Sequence, residues 1–245
     1  MRELDIHDLN ACVRRTPRKL RSMMQKHGSK VVVAGGFIRS VVTNERISDV
    51  DTFAGNKETS EIFATELQGD GKFHKTDNAF TVTNVKPKVQ FIFRWAYEEN
   101  SPKLILLSFD FTICQAAFWF DLNLKKWRSV CGNDFYSDLA AKRLVYLSPD
   151  RNEDAGGSML RVLKYYQRGF RIPLDSLGAV IARMMTGVDE EKIKETSGFK
   201  IGSHAEKWLG MVLSGLLYEV DPQAVIDHRA YLPPIPKEEE KGDEV

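Results

Sequence analysis

Apolar positions in "TPRKLRSMMQKHG" fall at Leu20, Met23 and Met24, one face of a helix, while Arg18, Lys19, Arg21 and Lys26 take the wet side. Thr16 is placed to cap that helix, Pro17 suits its first turn and Gly28 stops it. The pattern then changes to a continuous β-branched run. "KVVVAGG" predicts a short, fully buried strand ending on a glycine turn. "FIRSVVTN" has the length of two helical turns, "ISDVDTFAG" alternates like a second strand, and "TSEIFATELQ" predicts an amphipathic helix opened by Thr59 or Ser60. Three more strands are predicted from "AFTVTNV", "KVQFIFRWAY" and "KLILLSFDFTI", separated by "KPK" and "EENSPK" turns. From Tyr136 onward the spacing is helical, in "DLAAKRLVYL", "GSMLRVLKYYQRGF", "SLGAVIARMMTG", "HAEKWLGMVLSGLLYEV" and "PQAVIDHRAYL". The expected fold class is α+β. A mixed sheet with flanking helices spans residues 1–130, an all-helical segment 131–232, and an acidic tail 233–245 predicted to be disordered.

With 245 residues, the chain can bury a core as one domain with an appendage, or as two small domains. The formal charge of +1 conceals an asymmetry: "PKEEEKGDEV" carries two lysines against five acids, so the remainder is mildly basic. That balance does not by itself demand nucleic acid. Cys12, Cys114 and Cys131 form no C-x-x-C pair, which argues against a disulfide framework or a zinc site and for a reducing compartment. "MRELDIHDLN" lacks the apolar stretch of a signal peptide, and the most apolar region, Leu104 to Phe120, is broken by Asp110 and Gln115. A soluble cytoplasmic protein with no membrane partner is expected.

The chemistry concentrates in "AGGFIRSVVTNERISDVD". Residues i and i+2 of a strand share a face, so Asp49 and Asp51 point together while Val50 points into the core. Adjacent carboxylates repel, and a divalent cation between them holds both ionised. Magnesium suits such oxygen donors and keeps room for water and phosphate; two ions, about 3.5–4 Å apart, would activate a hydroxyl and steady pyrophosphate. Gly35 and Gly36 let backbone approach a triphosphate closely, with helix N–H groups following. Arg39, one turn in, reaches either a phosphate oxygen or an acid. Alone, a Gly-Gly is usually a turn and a D-x-D usually solvated surface; their ordered combination favours function.

That combination resembles the poly(A) polymerase and CCA-adding enzyme family of the DNA polymerase β-like nucleotidyltransferase superfamily. The match covers Gly35, Gly36, Arg39, Asp49 and Asp51. "DFTICQAAFWFD" is similar to the family's "DFTINALAY" segment, "FYSDLAAKRLVYL" to its "GGLEDLKNKILR", and "MLRVLKYYQRGFRI" to its "LLRALRFAARLGFRI" helix. The likeness runs from about residue 30 to 172. It implies a nucleotidyltransferase head with a helical neck, a two-ion magnesium site on Asp49 and Asp51, and an NTP substrate (ATP or CTP). A tRNA-like RNA acceptor is implied as well. It also implies nucleotide contacts from Gly35, Gly36, Arg39, Ser40, Arg161 and Lys164. The chain departs from the family pattern at Ser40, where the family has Asp, and at Ser108 and Phe109, where it has two arginines. Glu153 and Asp154 are followed by "AGGS", so the family's base-reading "EDxxR" is displaced, and Arg161 is the nearest arginine.

A third carboxylate is expected on a neighbouring strand, where this chain has Gln90. Asp110, on a predicted strand, is the substitute; it alternatively contacts ribose, caps the next turn or pairs with Arg94. Arg161, Lys164, Arg168 and Arg171 recur at spacings of three or four, beside Tyr165 and Tyr166, as a stripe for phosphate or single-stranded RNA, or as a solvated helix face. Arg14, Arg15, Arg18 and Lys19 read better as a solvated face. The histidines are scattered, "FHKTDNAFTV" is preferred as a turn, and Trp119, Trp127 and Trp208 as packing. Two classes of function follow. One is NMP transfer to a hydroxyl, on RNA or, in a toxin or antitoxin version, on protein. The other is a binding module that keeps the acids without turnover.

Overall fold

The computed structural model describes residues 1–71, 73–76, 78–93, 101–147 and 155–186. Helix α1 (Ile6–Arg15), not foreseen from the spacing, starts at Asp5, whose carboxylate accepts from the His7 N–H at 2.8 Å. Thr16 closes α1 instead of opening the next helix. Its hydroxyl donates to the Cys12 carbonyl at 2.8 Å, and α2 (Arg18–His27) follows Pro17 and stops at Gly28. Leu20, Met23 and Met24 are buried, as the spacing predicts.

The predicted strand–helix–strand core is present as β1 (Val32–Ala34), α3 (Gly36–Val42) and β2 (Asp49–Phe53). Helix α4 (Lys57–Gln68) starts earlier than expected, because the Asn56 side chain accepts from the Thr59 N–H at 2.8 Å and takes the cap from Thr59 and Ser60. The expected turn in "FHKTDN" contains a two-residue strand, β3 (His74–Lys75), paired with β4 (Ala79–Val82); β5 (Lys88–Ile92) follows. The third expected strand is instead a helix, α5 (Pro102–Leu107). A short apolar run does not distinguish strand from helix. Here Pro102 suits a first turn, and Ile105 and Leu106 bury while Leu104 and Leu107 stay exposed. A hairpin of β6 (Ala116–Asp121) and β7 (Lys126–Cys131) completes the sheet. The helix expected over "DLAAKRLVYL" covers only α6 (Phe135–Ala140); Lys142 takes φ of 51° and Tyr146 bridges Phe111. Helices α7 (Ala155–Gln167) and α8 (Leu174–Thr186) match their predicted segments. Asp77, Arg94, Trp95, Glu153, Asp154, the two last predicted helices with His204, Trp208 and His228, and the acidic tail lie outside the described residues.

The seven strands run in the order β3-β4-β5-β2-β1-β6-β7, with β2 and β5 parallel and the other pairs antiparallel. Strand alternation divides the sheet between two cores. Val33, Val50, Val89, Phe91 and Phe118 join the helices in the larger core. The opposite face carries a smaller cluster of Val32, Ala34, Phe53, Ala117 and Val130 under Ile105 and Leu106 of α5. Trp127 packs on the larger core and Trp119 on the smaller, in agreement with a packing role. Asp49 and Asp51 share the face of Phe53, so they belong to the thinly covered side.

Candidate active site

The acid pair lies on β2 in the burial pattern intermediate, buried, intermediate. Val50 is fully buried between two half-buried carboxylates. The Ser48 hydroxyl donates to Asp49 Oδ1 at 2.8 Å. Parallel pairing sets Lys88 opposite Asp49, Gln90 opposite Asp51 and Ile92 opposite Phe53. Gln90 therefore lies directly beside Asp51 on the neighbouring strand. Its amide donates from Nε2 to the Thr81 hydroxyl at 3.3 Å.

Burial, and then the charge of Asp49, push the Asp51 carboxyl up to about 7, against the opposing pull of Lys164, Arg161 and Lys88. A carboxyl held so far above its usual range lacks a sufficient counter-charge, and a divalent ion would supply one. Two half-buried carboxylates on one face, with a hydroxyl beside them, fit magnesium's preference for oxygen donors.

Asp110 is not on a strand. It follows α5 in a loop, is 2% exposed, and accepts at Oδ2 from Arg161 Nη1 at 2.7 Å and from the Ser158 hydroxyl at 3.1 Å. Both donors come from α7, so Asp110 is the anchor of that helix. Arg94, the partner considered from sequence, lies outside the described residues.

Arg39 is turned inward. It is 3% exposed, its guanidinium lies 4.8 Å from the Tyr165 ring centroid, and its Nη2 donates to the Ser40 hydroxyl at 3.0 Å. Of the two roles open to it from sequence, the geometry shows it facing an acid: Arg39 Nε is 3.7 Å from Glu45 Oε2. Glu45 also receives Lys142 Nζ at 3.2 Å and Arg168 Nη1 at 3.6 Å. Sequence reasoning missed Glu45, because its three cations come from three separate segments.

The Gly-Gly turn packs against a ring from a distant segment. Gly35 has φ of +83°, and a Cβ there would lie 2.9 Å from Phe109 Cε1, so the space beside it belongs to the Phe109 ring. Phe109 in turn packs edge-on against Phe53, with centroids 6.1 Å apart. A Cβ at Gly36 would lie 3.8 Å from Arg39 Nη1, an ordinary contact.

Helix α7 carries Arg161 and Lys164, whose positive charges pull the Asp51 carboxyl downward. Arg168, in the turn just after α7, reaches Glu45, and Arg171 lies further along, with its guanidinium 5.0 Å from the Tyr166 ring centroid. Tyr165 is buried under Arg39 and Tyr166 is exposed, so the two do not form one stacking surface. A shallow hollow of about 520 Å³, lined by Arg2, Glu3, Leu4, Asp5 and Tyr136, includes none of the acid-face residues. Among the described residues, no helix is long and apolar enough to cross a membrane.

The sequence model of the Gabija anti-defense 2 family matches residues 9–142, more than half of the chain. No curated protein matches it. Among solved structures, the Thermotoga maritima CCA-adding enzyme in complex with tRNA is similar with a TM-score of 0.55 and 21% identity, covering 94% of this chain and 54% of that one. A CCA-adding enzyme with ATP gives 0.56 and 21%, covering 94% and 55%. A CCA-adding enzyme with CTP gives 0.55 and 22%, covering 94% and 54%. The chain thus spans about half the length of these proteins, and at this identity the likeness establishes the nucleotidyltransferase fold.

Proposed function

The chain belongs to the Gabija anti-defense 2 family, and from its fold and the geometry of its acid face we propose that it is a metal-dependent nucleotidyltransferase. The observation that carries this reading is the pair Asp49 and Asp51, half-buried on one face of β2 with the Asp51 carboxyl raised to about 7. In the proposed reaction an acceptor hydroxyl attacks the α-phosphorus of an NTP, the bond to the bridging oxygen breaks, and pyrophosphate leaves. Asp49 and Asp51 would hold magnesium, which supplies Lewis-acid stabilisation of the charge that develops there. Lys88 pairs opposite Asp49, and the charges of Lys164, Arg161 and Lys88 all act on Asp51, which suits a polyanionic substrate. Asp110 and Glu45 hold α7 in place through Arg161 and Arg168. Gly35, Gly36, Arg39 and Ser40 shape the turn next to the acids. Preorganised charge and alignment, with no covalent intermediate, would provide the rate.

The acceptor proposed first is an RNA 3′ end, with ATP or CTP as donor. The tRNA, CTP and ATP complexes of the similar CCA-adding enzymes support that choice. The family's name supports a second version, in which the modified hydroxyl belongs to a component of the Gabija defence and the transfer disables it. A catalytic head over residues 1–130 and a helical segment over 131–232 are part of the same proposal. The test is incubation with each labelled NTP and magnesium, against total RNA and against extract from cells carrying the Gabija system. Transfer of label by the wild-type chain, lost by more than about 100-fold in folded Asp49→Asn and Asp51→Asn variants, is expected. Undiminished transfer by both variants would remove the acid pair from the mechanism.

A further inference from the structure

A second set of cations gathers where the chain after α6 meets the chain after α7. The Arg171 N–H donates to the Lys142 carbonyl at 2.7 Å, the Leu144 N–H donates to the Arg171 carbonyl at 2.8 Å, and Arg143 stands opposite Arg171 in a parallel bridge. Backbone pairing thus sets like charges side by side, an arrangement that costs stability until an anion joins it. Lys142 and Arg168 both turn to Glu45, at 3.2 and 3.6 Å, and the buried Arg39 faces the same carboxylate at 3.7 Å. Arg143 is held by Asp138 at 2.6 Å, with half of its side chain in solvent. Among the described residues, these five cations meet two acids, Glu45 and Asp138, so positive charge is left over. The contact at the centre is also incomplete, because neither Arg39 Nε nor Glu45 Oε2 has a hydrogen-bond partner.

Tyr166 adds an aromatic face. Its side chain is 57% exposed, and the Arg171 guanidinium lies 5.0 Å from the ring centroid, the kind of pair on which an unpaired base stacks. The chain itself keeps this surface close to the acid pair: Glu45 precedes Asp49 by four residues, so their Cα atoms lie within about 14 Å of each other.

Resting on the nucleotidyl-transfer reading above, we infer that Lys142, Arg143, Arg168, Arg171 and Tyr166 form a ledge for single-stranded RNA, holding it a few nucleotides upstream of a 3′ hydroxyl at Asp49 and Asp51. The cations neutralise phosphates, and Tyr166 with Arg171 takes one base in a stack indifferent to its identity. An acidic peptide would use the charge and leave the Tyr166–Arg171 pair without a role. A duplex keeps its bases stacked on one another and out of reach of the ring.

The experiment is fluorescence anisotropy of the full chain with labelled single-stranded RNA of about 12 nucleotides, an RNA duplex of the same length and a poly-glutamate peptide, over about 50 to 200 mM salt. Wild type should bind the single strand tightest, with log K falling against log salt at a slope of about −2 to −3, as for three or four neutralised phosphates. Arg171→Gln should weaken binding several-fold and flatten the slope by about 0.7. Tyr166→Ala should weaken binding roughly tenfold with the slope unchanged, and Tyr166→Phe should keep the wild-type affinity. Both side chains are exposed, so these variants should melt as wild type does. Equal or tighter binding of the duplex or the peptide, a slope near zero, or an unmoved affinity in Tyr166→Ala would overturn the inference and leave nucleotidyl transfer standing. Undiminished transfer by Asp49→Asn and Asp51→Asn would instead strike the proposed function, while the affinity of the ledge for RNA stood.

Discussion

Gly35 shows how far a single residue can be understood from its neighbours in sequence. Its φ of +83° demands a residue without a Cβ penalty, and "AGG" after a β-branched run predicts such a turn. The contact that makes the glycine doubly necessary, Phe109 at 2.9 Å from the added Cβ, comes from a distant segment and was not legible. Gly35→Ala should therefore cost about 2–3 kcal/mol in urea denaturation, from strained backbone and ring displacement together. Adding Phe109→Ala to that variant should relieve the steric part alone, so a double variant as stable as Phe109→Ala itself would mean that backbone strain is negligible here. The same limit governs the acids. Period-two alternation places Asp49 and Asp51 on one face, but only the β2–β5 register reveals Lys88 and Gln90 opposite them. Glu45 had no signal at all, since its partners Arg39, Lys142 and Arg168 meet only in the fold.

Among the elements, α7 was the most readable and α5 the least. The apolar spacing of α7 is sustained over three turns, and Arg161 and Lys164 fall within it while Arg168 lies in the turn that follows. Strands β6 and β7 escaped notice because "AAFWFD" is apolar on both faces, one buried in each core through Phe118 and Ala117. What fastens α7 to the sheet side is local and testable. Asp110→Asn removes the charge that accepts from Arg161 and Ser158 at a nearly buried position. Since Arg161 is itself 30% exposed, the cost should be about 2 kcal/mol, below the usual figure for a fully buried pair. Hydrogen exchange should quicken along α7 while the amides of β1, β2 and β5 keep their protection. Combining it with Arg161→Gln should add little, because both changes break the same ion pair. Strictly additive losses would mean that the two side chains act on stability separately.

For the whole molecule, the acid pair links folding to pH and to metal. The Asp51 carboxyl is raised from 3.8 to about 7 in the folded chain, so between those values the native state holds a proton that the unfolded chain has released. The Asp51 contribution to stability is then highest below pH 4, falls as pH rises towards 7, and levels off above it, when both states are ionised. For a half-buried group the loss should be on the order of 2–4 kcal/mol. It is best measured as the difference between wild type and Asp51→Asn, which cancels the other titrating groups. In metal-free buffer the variant should gain steadily on wild type from pH 5 to pH 8 in melting temperature. Magnesium should close that gap at pH 8 by binding only the folded, ionised pair, and should do little at pH 5, where a proton already occupies Asp51. A difference that stays constant across this range would mean that Asp51 ionises in the fold as freely as in the open chain. The electrostatic tension that makes the acid face a metal site would then be absent.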